Sequence, residues 1–206
     1  MADIRTLAEV RPLREPGKRM RSRLLDAAVE LFKTKGLAGA AVAEIAAAAG
    51  AYPSQVTYYF RTKEALFVEA ACREVLYVAR QAEVAAAGAS TGSDYNRRLV
   101  ETVVGSPGLA LFVEALSLTR RRQDLSPLIE RTFERLHGEG DRAYAETRRR
   151  RGWSEAEDAG AVARRFWTLA LGVALREGAT EATVADAVEE MVALLRPQPV
   201  RRIGDA

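Results

Sequence analysis

The stretch Ala40–Lys63, AAVAEIAAAAGAYPSQVTYYFRTK, decides how the chain folds. Val42, Ile45, Ala46 and Ala49 recur at offsets of 3, 4 and 7, the spacing of one helical face. Gly50 stands where a left-handed C′ residue ends such a helix. Pro53 suits the first position of a new helix, since its fixed φ fits and its missing N–H has no partner to lose there. That second helix runs to about Phe60, and Val56 and Phe60, four residues apart, point inward. At about 100° per residue, Ser54 and Tyr58 point directly away from that pair, with Gln55 and Thr57 on the flanks.

The outward face of the second helix is polar, aromatic and free of carboxylates. A helix lying in a DNA major groove needs such a face, because base edges offer hydrogen-bond donors and acceptors while carboxylates repel phosphate. An ordinary helical hairpin with a solvated face has the same spacing, so spacing alone leaves both readings open. Lys63 opens the next helix, where a cation opposes the dipole. A helix start does let a backbone N–H and a lysine hold an outside phosphate together.

The wording of the stretch resembles the DNA-binding domain of the tetracycline-repressor (TetR) family. The matching residues are Glu44-Ile45-Ala46, Ala49-Gly50, Val56-Thr57-Tyr58-Tyr59-Phe60 and Lys63-Glu64-Ala65-Leu66. The preceding LLDAAVELFKTKG, Leu24–Gly36, has the family's apolar-x-Ala-Ala-x-x-Leu-Phe-x-x-x-Gly form, so the resemblance covers about Arg21 to Phe67. It implies a three-helix DNA-binding domain. There are departures. Ala41 and Tyr52 replace hydroxyl caps, each worth about 1 kcal/mol of helix stability. Ala43 stands where the family often has a basic or polar residue, which weakens base reading from the first helix of the pair. Thr57 replaces the usual Tyr, leaving Tyr58 and Tyr59 as aromatic contacts. On this reading Tyr52, Pro53, Ser54 and Tyr58 contact bases, while Gln55, Thr57, Tyr59, Lys63 and Arg21 contact phosphates.

A chain of 206 residues, 48% hydrophobic and 29% charged, is long enough for one large helical domain or two small ones. It has no run of eighteen apolar residues, and its first residues lack the apolar block of a signal peptide, so a cytoplasmic protein is expected. Cys72 is the single cysteine, which excludes an internal disulfide; it reads as a packed thiol. Residues 1–63 carry 11 Lys/Arg against 6 Asp/Glu, while residues 64–206 carry 20 against 22. Positive charge therefore gathers on the segment holding the helix-turn-helix, the electrostatic footprint of a nucleic-acid reader. Arg outnumbers Lys 27 to 4, which reads as coding bias.

Residues 1–17 have two prolines and no sustained period, and read as a mobile basic arm. Its Arg5, Arg11 and Arg14, with Lys18 and Arg19, either touch DNA or form an unengaged tail. Residues 18–62 make the helix-turn-helix domain, 63–197 a regulatory and dimerisation domain, and 198–206 a frayed tail. Helix one spans Lys18 to Gly36, with Arg21 and Arg23 by its first turn. Thr62 caps helix four, which ends in the Gly/Ser/Thr loop at 85–93. A fifth helix starts at Asp94. Ser106-Pro107 and Ser126-Pro127 are cap-plus-proline starts for helices six and seven. The Arg148–Arg151 run before Gly152 reads as a solvated helix end. Ser154-Glu155-Ala156-Glu157 and Thr183-x-x-Asp186 are capping boxes for helices eight and nine, and Pro197 and Pro199 stop the last. No strand-like alternation occurs, so the class is all-α.

Helices eight and nine are apolar over more than one stripe. Val162, Phe166, Leu169, Gly172, Val173, Val188, Met191 and Leu195 are therefore expected to pair with a second copy, a homodimer that the resemblance also implies. Two copies at fixed spacing call for a palindromic operator. Phe112, Phe133, Tyr144, Phe166 and Trp167 are candidates to line an effector pocket, with Tyr77, Tyr95 or His137 as polar contacts, though each also fits a plain core. The scarcity of charges in these segments points to an apolar or aromatic effector. Nothing points to an enzyme: His137 is the sole histidine, no Cys/His pair supplies metal ligands, and no glycine-rich loop follows a strand. No cofactor is expected. The reading is a ligand-responsive regulator, a repressor, with a helical protein-interaction module or a ligand-binding protein without DNA reading as the alternative.

Overall fold

The computed structural model describes residues 15–153 and 157–195, and every regular element among them is helical. In order these are α1 (Glu15–Gly39), α2 (Val42–Ala48), α3 (Pro53–Phe60), α4 (Lys63–Ala86), α5 (Gly92–Val104), α6 (Pro107–Thr119), a 3₁₀ turn (Gln123–Leu125), α7 (Ser126–Arg151), α8 (Ala159–Glu177) and α9 (Val184–Leu194). The chain forms two units, Met1–Leu66 and Phe67–Ala206, with α4 running across the division.

In the first unit, Leu24, Leu25, Ala28 and Phe32 of α1, Ile45 and Ala46 of α2, and Val56 and Phe60 of α3 are buried, and α2 packs against both α1 and α3. The α1 helix proper ends at Gly36, whose φ of 66° breaks the helical run. Gly50 has φ 62°, and the bonds Ala51 N–H to Ala46 C=O and Gly50 N–H to Ala47 C=O form a Schellman motif. A residue with a Cβ is disfavoured at that angle.

In the second unit, α7 packs along α8, α5 and α8 flank α9, and α6 meets α8. Phe67, Val75, Val100, Leu109, Phe112, Leu136 and Met191 fill its interior. Gly108, in the first turn of α6, lies so close to α4 that a Cβ there would stand 2.8 Å from Glu74 Cγ and 2.9 Å from Val78 Cγ2.

Several starts differ from the sequence expectation. α5 begins at Gly92, because Thr91 accepts from Asp94 N–H at 3.1 Å and so caps the helix before Asp94. Ser126 is already helical; the 3₁₀ turn leads into α7 and Leu125 takes the cap position. At α8 the cap is Asp158, accepting from Ala161 N–H at 2.8 Å. The Ser154-Glu155-Ala156 part of the expected box lies outside the described residues, as do the arm as far as Arg14, Pro197, Pro199 and the tail. The Ser106 cap and the Thr183–Asp186 box form as expected.

The expected dimer residues differ in burial. Val162, Phe166, Val173, Val188, Met191 and Leu195 are buried within their own unit, which leaves little of them for a partner. Most of the apolar surface of α8 and α9 faces their own unit, where α5, α6 and α7 pack on them. Leu169 is half-buried and Gly172 exposed.

Candidate nucleic-acid interface and apolar cavity

The geometry of α3 follows from its inner face. Val56 and Phe60 are 2% and 5% exposed, and they fix the rotation of an eight-residue helix that is otherwise too short to hold itself. On the opposite side Tyr52 and Tyr58 are 77% and 73% exposed, and Pro53, Ser54 and Thr57 are exposed beside them. Tyr59 is half-buried, its ring 5.0 Å from that of Tyr58 and 6.3 Å from that of Phe60. The four residues read as base contacts therefore share one solvent-facing surface at the start and outer side of α3.

The missing hydroxyl caps are offset from the other direction. Neither Ala41 nor Tyr52 caps through its side chain. Instead Glu44 Oε2 accepts from Ala41 N–H at 3.2 Å, and Gln55 Oε1 accepts from Tyr52 N–H at 3.0 Å. Each is the return half of a capping box, and each satisfies an orphan donor at a helix start. Gln55 is thus a structural residue as well as a flanking one. Glu44, the carboxylate of α2, is neutralised locally. The hydrogen bond from Lys35, 2.8 Å from Oε1, and then the Ala41 amide hold its carboxyl below the usual range.

The candidate phosphate residues also brace the unit. Lys63 Nζ donates to Ala40 C=O at 3.2 Å, tying the first turn of α4 to the chain just past α1. An ammonium has two further donors for an outside group. The Arg21 guanidinium lies 4.8 Å from the Phe60 ring centroid, on the inner end of α3. Arg61 carries no motif signal in the sequence. It is the one described non-glycine residue with positive φ, at φ 65°, ψ −51°, and Thr62 N–H donates to Phe60 C=O at 2.7 Å across it. This is a γ-turn of the strained kind. It joins α3 to α4 in two residues, with Thr62 capping α4 through Ala65 N–H at 3.1 Å.

The second unit encloses a cavity of about 60 Å³ whose lining includes Tyr95, Tyr144, Phe166 and Trp167. Three of the five aromatic pocket candidates, Tyr144, Phe166 and Trp167, meet there. Phe112 and Phe133 do not line it; they pack on one another, centroids 5.6 Å apart, and His137 lies on Phe133 at 5.7 Å. Burial, then Arg164, pushes the His137 pKa down. Tyr77 is exposed, whereas Tyr95 is buried in the wall, where burial pushes its hydroxyl up to about 12. The sequence also gave no sign that Glu83 and Glu139 line the same space. Burial pushes the Glu83 carboxyl up, with Arg142 opposing.

Comparison with known proteins gives a consistent result. A family model described as bacterial regulatory proteins, tetR family, matches residues 24–70, and one described as bacterial transcriptional repressor C-terminal matches residues 92–196. A search of curated proteins finds no match. Among solved structures, a protein from Rhodococcus sp. RHA1 described as a transcriptional regulator is 39% identical, covering 85% of this chain and 93% of that one, with a TM-score of 0.74. The multidrug binding protein EbrR, solved with imidazole, is 25% identical, with 89% and 95% covered and a TM-score of 0.56. The fatty acid degradation regulator FadR from Bacillus halodurans shares the fold at 18% identity, with 93% and 100% covered and a TM-score of 0.62.

Proposed function

The chain belongs to the TetR family of bacterial transcriptional regulators, and from that premise we propose that it is a cytoplasmic repressor, binding a palindromic operator as a homodimer and released by a small-molecule effector. One observation carries the DNA-reading half: the exposed, carboxylate-free face of α3, where Tyr52, Pro53, Ser54 and Tyr58 are turned to solvent opposite the buried Val56 and Phe60 and so are free to meet base edges. Thr57, Tyr59, Lys63, Arg21 and the free amide end of Gln55 orient the helix on phosphates. Two such helices, one from each copy, enter successive major grooves about 34 Å apart.

The dimer face is reassigned to what the second unit leaves open. Leu175, Leu194 and Val184 are 59%, 46% and 42% exposed. Gly172 has open space where a Cβ would be, and with Leu175 it borders a groove shared with Val113 and Leu116 of α6. These residues suit the close approach of a second copy. A Leu175→Glu chain that remains dimeric in solution mass measurements would remove this assignment.

Release is read from the cavity, which includes Ala79, Ala82 and Glu83 of α4. An effector there touches the helix that continues into the first unit, and it acts only through different affinity for the two spacings of the reading heads. The apolar wall favours an apolar or aromatic compound, and the multidrug binding relative solved with imidazole is in keeping with a small-molecule ligand. The test is selection of bound duplexes from a random library, repeated with candidate compounds present. Enrichment of a palindrome that a compound releases is the expected result; enrichment of no sequence would overturn the reading.

A further inference from the structure

We propose that the cavity of the second unit is built for a lipophilic cation, a positively charged nitrogen on an apolar or aromatic body, with Glu83 as its counter-ion. The proposal rests on the effector reading of that cavity and adds the charge of the effector to it.

The lining combines aromatic rings and carboxylates and, among the described residues, contains no Lys, Arg or His. Its two acids are not equivalent. Glu139 Oε1 accepts from Arg135 at 3.0 Å, so its charge is already answered. Glu83 makes no hydrogen bond or ion pair with any described residue; Arg142 and Arg80 act on it from longer range, and Glu139 acts against them. A half-buried carboxylate without a partner is a standing cost to the folded state, because burial removes water without replacing it. A cation entering the cavity relieves that cost. A neutral ligand of the same shape adds to it by displacing more water, and an anion meets two carboxylates.

The rings supply the other half of the recognition. Aromatic faces attract cations, best when water is excluded. One ring of the wall already does so inside the protein: the Arg148 guanidinium lies over Tyr144, 5.6 Å from its centroid. Tyr95, Phe166 and Trp167 complete the aromatic lining. At about 60 Å³ the cavity is smaller than the roughly 150 Å³ that accommodates benzene in an engineered core. Its walls therefore part as a ligand enters. Because Glu83 stands on α4, the pull between cation and counter-ion falls on that helix.

The test uses two probes of one shape, benzyltrimethylammonium and neopentylbenzene, titrated calorimetrically into the full chain and into Glu83→Gln and Glu139→Gln. The expected result is at least about tenfold tighter binding of the cation by the unsubstituted chain. Glu83→Gln loses at least about tenfold for the cation and stays within about twofold for the neutral probe, and Glu139→Gln loses less. If Glu83→Gln fails to fold, the pH dependence of the unsubstituted chain replaces it, cation affinity falling as Glu83 is protonated while that of the neutral probe does not. Equal affinity for the two probes, binding of neither, or an indifferent Glu83→Gln overturns the proposal. Duplex binding measured in parallel separates it from the release reading. A cation bound through Glu83 that leaves the duplex in place sustains the proposal and defeats release, whereas a neutral probe that frees the duplex does the reverse.

Discussion

The outer face of α3 and the cavity of the second unit are both aromatic surfaces, but they are built in opposite ways. On α3 the labour is divided: Val56 and Phe60 pack, while Tyr52 and Tyr58 reach into solvent, Tyr58 resting edge-on against the Tyr59 ring. In the cavity the same side chains do both, since Phe166 and Trp167 are buried core residues whose rings, 5.5 Å apart, also form the wall. A reading surface of the first kind changes specificity without disturbing the fold. A pocket of the second kind cannot change its ligand without repacking, and its ligand is felt throughout the unit.

The largest effects test that division directly. Phe60→Ala and Trp167→Ala should each lose about 3–5 kcal/mol by chemical denaturation, whereas Tyr58→Ala should stay within about 0.5 kcal/mol of the unsubstituted chain. A Tyr58→Ala chain as unstable as Phe60→Ala would dissolve the contrast. A smaller effect is expected at Arg61. The positive φ there costs roughly 1–3 kcal/mol, and Arg61→Gly should recover about 1 kcal/mol of it as a raised melting temperature. The gain should come with weaker duplex binding, because a glycine link holds α3 less firmly on α4. A stabilised variant that binds duplex more tightly would show that the γ-turn does not serve positioning.

The smallest effect concerns pH. The Glu83 carboxyl is raised in the folded chain, so both states are protonated in acid and the penalty is absent; it sets in as pH rises through the unfolded value and is complete above the folded one. Glu83→Gln should therefore melt higher than the unsubstituted chain at pH 8 and level with it at pH 3. The gain is about 1 kcal/mol or less once solvent screening is allowed for. A gain of equal size at both pH values would assign it to packing instead of charge.

What was legible in the sequence was local. Gly50 and Pro53 mark the turn because backbone angle and a missing donor are properties of single residues, and the four-residue spacing of Val56 and Phe60 fixes which side of α3 faces out. Legibility failed where a residue's role depends on what lies across from it. The two apolar stripes of α8 and α9 announce burial without saying in what, and the chain's own α5, α6 and α7 take most of both. Phe112 and Phe166 look alike in sequence, yet one packs on Phe133 and the other lines the cavity. Nothing in the sequence sets Glu83 apart from the other helical carboxylates, most of which face water. The return caps from Glu44 and Gln55 stand three residues after Ala41 and Tyr52, but without the hydroxyl half of the box they carry little capping signal.

The central claim is that α3 reads sequence with its exposed tyrosine face while Lys63 holds phosphate. Fluorescence anisotropy of the unsubstituted chain, Tyr58→Ala and Lys63→Ala, on the selected palindrome and on a scrambled duplex across a salt series, tests it most directly. Tyr58→Ala should lose about tenfold on the palindrome and almost nothing on the scrambled duplex. Lys63→Ala should weaken both alike and lower the salt slope by about one unit for each bound chain. Equal losses for Tyr58→Ala on the two duplexes, at any salt, would contradict the account.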